Sequence, residues 1–185
     1  MTYIKASVMK SSDGAGCATA KSSEIVLVDV ADIATEPTRT VGSVNMVGDF
    51  TLVSSAKGVV IYATPSTIEV TEEHSGEIDA KGVKNGVAFE HPGDSIAIKN
   101  FSEAFMNKGV VAFVKECDGS SNGRVRVIGS KCNPLYLSQE TTINKEATKR
   151  KFTFKQEQND KFLAGEYSGA EVPVAEAATT GQEGA

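Results

Sequence analysis

Val110-Val111-Ala112-Phe113-Val114-Lys115-Glu116 and Arg124-Val125-Arg126-Val127-Ile128-Gly129-Ser130, joined across Asp118-Gly119-Ser120-Ser121-Asn122-Gly123, decide the fold of this chain. The first run is solidly apolar and too short for a buried helix, so it reads as a core strand. The second alternates, and the Asp/Gly/Ser/Asn loop between them is turn chemistry; together they predict an antiparallel hairpin. Side chains on a strand point to opposite faces in turn, so Val125 and Val127 are expected inward and Arg124 and Arg126 on the other face.

Working outward, the strongest other strand patterns are Ile25–Val30, Val59–Ala63 and the strictly alternating Lys151–Lys155, beside Val110–Lys115 and Arg124–Ile128. Tyr3–Lys10 alternates weakly and suggests an edge strand; Gly42–Val53 reads as a mixed strand. Asn85-Gly86 is the favoured pair for a two-residue hairpin turn and predicts one there. Between Pro92 and Gly109 the spacing of Ile98, Phe101 and Phe105 predicts a short helix over Phe101–Asn107, preceded by a strand to about Lys99 and stopped by Gly109. The expected class is mainly β, an antiparallel sandwich or barrel with one short flanking helix and long loops. Residues 1–169 are expected to form one domain. Residues 170–185 (AEVPVAEAATTGQEGA) lack aromatics and are expected to form a flexible tail.

The chain has 185 residues, 40% hydrophobic and 23% charged, with a net charge of −5. This is ordinary globular composition and excludes a mainly disordered chain. Its apolar runs fall far short of the roughly 18 residues that cross a bilayer as a helix, so no membrane partner is expected. MTYIKASVMKSSDG has no apolar h-region, so no secretory leader is expected. A net negative chain argues against gripping nucleic acid through phosphates. The odd and widely spaced cysteines (Cys17, Cys117, Cys132) predict free thiols in a reducing cytoplasm.

Little in the sequence points to reaction chemistry. His74 and His91 fall in EEHSG and EHPG, where a neighbouring carboxylate could orient a general base; exposed loop histidines are the commoner outcome of such contexts. Cys117 and Cys132 with either histidine lack zinc-site spacing, and Gly14 and Gly16 do not complete a GxGxxG fingerprint. Asn100-Phe101-Ser102 matches a glycosylation sequon, which has no meaning without export. No catalytic, metal or cofactor-binding residue is expected, and the chain is not read as an enzyme.

Over Gly16–Gly169 the order of segments resembles tail tube subunits of tailed bacteriophages, in particular those of Bacteroidetes phages and prophages. The residues carrying the resemblance are a glycine-containing loop running into EIVLVDVADI, then VVIYATPSTIEVTEE, then NKGVVAFVKECDG leading into RVRVIGSKCNPLYL, and finally KFTFKQEQNDKFLAGEYSG. The resemblance implies a projecting loop or hairpin and sixfold rings of identical subunits. These would stack into a virion tail tube, contact other tail proteins, and pass genomic DNA without sequence-specific binding, the subunits being made in the host cytoplasm. The type VI secretion tube is similar in architecture and is an alternative. A monomeric β-sandwich module binding a receptor or glycan is another, disfavoured by the absence of Trp.

Two segments are long for connections in a compact domain and are therefore candidate inter-subunit loops. Thr67–Lys84 carries Glu69, Glu72, Glu73, Glu77 and Asp79 against Lys81 and Lys84, so part of it could line a lumen that must not bind phosphate. Ser11–Ser23, with Ser11, Gly14, Gly16 and Ser23, is the other.

Overall fold

A computed structural model describes residues 7–10, 16–40, 42–117, 123–145 and 147–176. In chain order the strands are β1 (Ala20–Asp29), β2 (Ile33–Thr35), β3 (Thr38–Arg39), β4 (Asn45–Val47), β5 (Thr51–Leu52), β6 (Val59–Tyr62), β7 (Glu69–Ser75) and β8 (Gly82–Pro92). After the helix α1 (Ile96–Phe105) come β9 (Val110–Cys117), β10 (Arg124–Ile128), β11 (Leu135–Ile143), β12 (Thr148–Gln156) and β13 (Gly165–Tyr167). The protein is thus mainly β with one α-helix among the described residues. The five strongest strand patterns in the sequence fall on β1, β6, β9, β10 and β12, with Val30 and Ala63 just past the strand ends.

The main sheet runs β3-β4-β13-β10-β9-β11-β12-β8-β7, with β1 pairing the opposite edge of β9 and β6 pairing β1. β13 and β4 run parallel, while β2 and β5 form a separate small antiparallel pair. The sheet is not closed. At one place its ends approach: the Thr64 amide donates to the Glu90 carbonyl at 2.9 Å, and the Glu90 amide donates to Thr67 Oγ1 at 2.9 Å.

β9 sits between two cores. Val110, Ala112 and Val114 join Ile25, Leu27 and Ile61 from β1 and β6, and Phe89, Phe152 and Phe154 from β8 and β12, in the larger one. Val111 and Phe113 enter the second with Val28, Phe50, Val127 and Tyr167. The β9–β10 hairpin forms as expected, Arg124 opposite Glu116 and Val127 opposite Phe113. The face carrying Arg124 and Arg126 is covered too: Glu116, 7% exposed, has Oε2 3.2 Å from Arg124 and 3.4 Å from Arg126.

Several local expectations are corrected. The helix starts at Ile96, where Ser95 caps it by accepting from the Ile98 amide; the Ile96/Ile98 alternation that suggested a strand is overridden by this cap. It ends at Phe105, and Gly109 is small for another reason: a Cβ there would lie 2.8 Å from Pro134. Asn85-Gly86 is not a turn but lies inside β8, opposite Glu72 and Thr71. The turn falls earlier, at residues 76–81, where Gly76 and Asp79 take positive φ. Gly42–Val53 is not one strand; it divides into β4 and β5. Of Tyr3–Lys10, residues 7–10 are not strand, and the remainder lies outside the described residues.

The segment after 169 is attached as far as Ala175, contrary to its reading as tail. Tyr167 Oη donates to the Ala170 carbonyl, Val172 packs on the second core, and Gly58 bridges Val174 in parallel. Residues 177–185 lie outside the described residues.

Phe154 is fully buried and stacked at 6.2 Å on Phe89. Phe154→Ala is expected to cost about 3–5 kcal/mol, read from denaturant unfolding; a loss of under about 1 kcal/mol would place this ring outside the core. The three cysteines are free and exposed, so the triple Cys→Ser variant should unfold within about 0.5 kcal/mol of wild type, with three thiols titrating in the denatured chain.

Candidate functional site: open sheet edges and a polar cavity

Thr67–Lys84 is a β-hairpin rather than a loop. β7 pairs β8 over seven residues, from Glu69 opposite Ala88 to Ser75 opposite Gly82. The period-two pattern of Ile68 and Val70 was the available signal; the charge density of EEHSGE obscured it. Val70 packs on the larger core, so Glu72 lies on that same inner face, and its Oε1 accepts from the Ala164 amide at 3.0 Å. Glu69 and Glu73 point to the other face, where Glu73 pairs with Lys155 at 2.6 Å. Glu77 and Asp79 are exposed at the turn. The five acids proposed as one set are therefore split: Glu72 and Glu73 bind their own subunit, while Glu69, Glu77 and Asp79 face outward.

Ser11–Ser23 is shorter as a loop than its composition suggests. Ser23 lies within β1, because the ladder to β9 extends back to Ala20 opposite Cys117. Gly16 is exposed in a turn; Ser11 and Gly14 lie outside the described residues.

Both histidines are in strands, not loops. His74 is exposed opposite Val83. His91 has Nδ1 2.9 Å from the Tyr62 carbonyl, to which it donates, so a carbonyl and not a carboxylate orients this ring. Among the described residues no group of three or more His, Cys, Asp or Glu could hold a metal ion, and no helix is long and apolar enough to cross a membrane.

Two features stand out instead. The first is the four-stranded antiparallel portion β11-β12-β8-β7. β11 pairs β12 along all nine residues but touches β9 only through Leu135 opposite Val110. Residues 136–143 thus have an edge with no ladder partner among the described residues. They carry one charge, Glu140, and no proline. β7, at the far side, pairs only β8 among the described residues. The face of these strands turned away from the core carries Glu69, Glu73, Glu90 and Glu140 against Lys84, Lys149, Lys151 and Lys155, with Lys149 bridging Glu90 at 2.9 Å. Its charge is balanced rather than acidic.

The second is a cavity of about 460 Å³ bordered by Glu36, Arg39, Met46, Asn85, Val127 and Phe162 among others. Sequence reasoning missed it, because its walls come from five separate stretches of chain. Burial pushes the Glu36 carboxyl above its ordinary range and Asp160 adds to this, while the Lys131 amide opposes. Burial lowers the Arg39 guanidinium, against the pull of Asp160, Glu72 and Glu166.

No protein-family model, curated protein or solved structure matches the chain.

A carboxyl whose folded pKa is raised takes up a proton more readily in the native state, so its effect on stability is most favourable at low pH. Stability then declines as pH rises through the folded pKa. Glu36→Gln keeps an acceptor for the Lys131 amide without the charge. It is expected to unfold at higher denaturant than wild type at pH 7, with the advantage vanishing below about pH 4. An equal difference at both pH values would show that the ionised carboxylate carries no burial cost.

Proposed function

We propose that this chain is a self-assembling structural subunit whose copies join edge to edge into rings that stack as a tube, serving as the DNA conduit of a virion tail. The observation that carries the reading is the pair of open edges on one four-stranded sheet. In the order β11-β12-β8-β7 with every neighbour antiparallel, β11 and β7 run in opposite directions. Placing β7 of one copy beside β11 of the next therefore continues the same antiparallel sheet. The two edges are of matching length, nine and seven residues. Exposed strand edges of this length pair with another chain unless something blocks them, and a head-to-tail contact of this kind closes into a ring when the rotation per subunit permits.

Other features support the same reading. The long β7–β8 hairpin and the single helix are those the resemblance leads one to expect. The approach of Thr64 to Glu90 suits a sheet wrapped as an incomplete barrel. A charge-balanced outer face with small residues at its centre (Gly86, Ala88, Ser138, Thr153) offers DNA neither a row of phosphate-binding cations nor a strongly repelling wall. This modifies the expectation of an acidic lumen: balance, with Lys149 and Lys155 held in ion pairs, meets the same requirement of not retaining a passing polyanion.

Electron microscopy of the purified protein tests the assembly. Rings or tubes are expected from the wild type. Ser138→Glu with Thr142→Glu flanks Glu140 with two more acids on the exposed side of β11, opposite the acidic β7 of a neighbour. This variant should keep the wild-type circular dichroism and remain monomeric. A wild type that stays monomeric at high concentration would favour a binding module, and assembly undiminished in the double variant would remove β11 from the interface.

A further inference from the structure

Two residues that border the cavity beside β3 and β4, Asn85 and Arg39, each hold a buried polar atom that the protein leaves without a partner. Asn85 is 2% exposed. Its Nδ2 donates to Gln156 Oε1 at 3.1 Å and to the Phe162 carbonyl at 2.9 Å, but its Oδ1 has no donor. Both amide hydrogens being committed to acceptors, turning the side chain over would not satisfy it. Arg39 donates through Nη1 to the Leu163 carbonyl and lies over the Phe162 ring, 4.8 Å from its centroid; its Nε–H, also buried, has no acceptor.

These two side chains are tied to consecutive carbonyls, Phe162 and Leu163, so an unpaired acceptor and an unpaired donor stand at the same short strap. The neighbouring polar groups cannot relieve them. Gln156 Oε1 already accepts from the Asn85 amide and Nδ2, and its Nε2 donates to the Asn133 carbonyl and to Asp160. A buried polar group without a partner is costly, and native structures contain few. The rest of the lining suits a compact organic molecule. Met46, Val127 and Phe162 supply apolar wall, Glu36 and Asp160 are balanced by Arg39 and Lys161, and the volume falls in the range of small-molecule sites.

We propose that this cavity binds a small neutral molecule carrying a carboxamide edge on a flat apolar body, its N–H donating to Asn85 Oδ1 and its carbonyl accepting from Arg39 Nε. Charge balance disfavours an anion or a cation, and only a group with both a donor and an acceptor satisfies both orphans at once. The two atoms are closed to solvent in the structure, so binding requires a rearrangement of residues 161–163, whose Phe162 and Leu163 carbonyls hold the two side chains. This site is separate from the open edges and does not depend on assembly.

Calorimetric titration of the full-length wild type with benzamide, acetophenone and benzoate tests it, since the three share a ring but only the first is a neutral donor and acceptor. Benzamide is expected to bind at least tenfold more tightly than either of the others. Arg39→Met, which keeps the stem over Phe162, should weaken benzamide at least tenfold. Hydrogen exchange on the wild type supplies a readout free of any variant: benzamide should slow exchange in the peptide spanning 160–164. No benzamide binding at millimolar concentration, equal affinity for the three probes, or binding that leaves 160–164 unprotected would each overturn the proposal. So would a crystal soaked in benzamide in which water alone bonds both atoms.

Discussion

Both faces of β9 have to be covered, and most of the chain is arranged to do so. Its even-numbered side chains enter one core and its odd-numbered ones the other, so the strand can be neither an edge nor half of a two-layer packing with a solvated side. Each edge is therefore occupied: β1 along one, β10 and then β11 along the other. The change from β10 to β11 takes place at Gly129, where φ is +84° and a Cβ would stand 3.1 Å from Leu135 Cγ. A left-handed backbone with so little space for a side chain favours glycine. There the sheet divides, β10 leading to the second core and β11 to the four-stranded portion with open edges.

The electrostatics follow from the same strand. The apolar series Val110, Ala112, Val114 ends at Glu116, where the larger core gives way to the Arg124, Arg126 and Glu166 side chains. Arg124 Nε is 3.1 Å from Glu166, and Arg126 Nη2 is within 3.8 Å of the same carboxylate. Two cations shared between two carboxylates keep Glu116 from being an uncompensated buried charge, which is where the penalty of such groups is greatest. The cluster marks where the core stops. The polar cavity lies within electrostatic reach of this cluster, Arg39 feeling Glu166 as well as Asp160.

What the sequence made legible was the strand content, and this for a plain reason. Solid or strictly alternating runs such as Val110–Lys115 and Lys151–Lys155 have only one way to bury their apolar atoms. The misreadings occurred where two local signals competed. Ile96 and Ile98 alternate like a strand, yet a serine cap and the Phe101–Phe105 contact at 4.7 Å settle a helix. Asn85-Gly86 has turn chemistry, yet Asn85 is drawn into the interior by Gln156, a partner 71 residues away. Acid density on β7 read as loop because the counter-charge, Lys155, is distant in sequence. The candidate site was half visible: the hairpin was located as a segment, but its edge, the matching edge on β11 and the cavity are products of topology.

The treatment of strand edges in this fold is uneven, and the unevenness has a direction. β3 is two residues long, too short to template much. β6 is bridged at its start by the segment carrying Val174, through the Gly58 amide to Pro173 and the Ala175 amide back to Gly58. β7 and β11 receive no such cover among the described residues, although they are the longest of the four and belong to one sheet. Protection applied to two edges and withheld from two is not a general tolerance of exposed backbone. An isologous pairing through β11 or β7 alone would bury one edge and leave the other open on each copy. Head-to-tail pairing consumes both edges of every copy at once, and only an assembly that closes on itself leaves none at its ends.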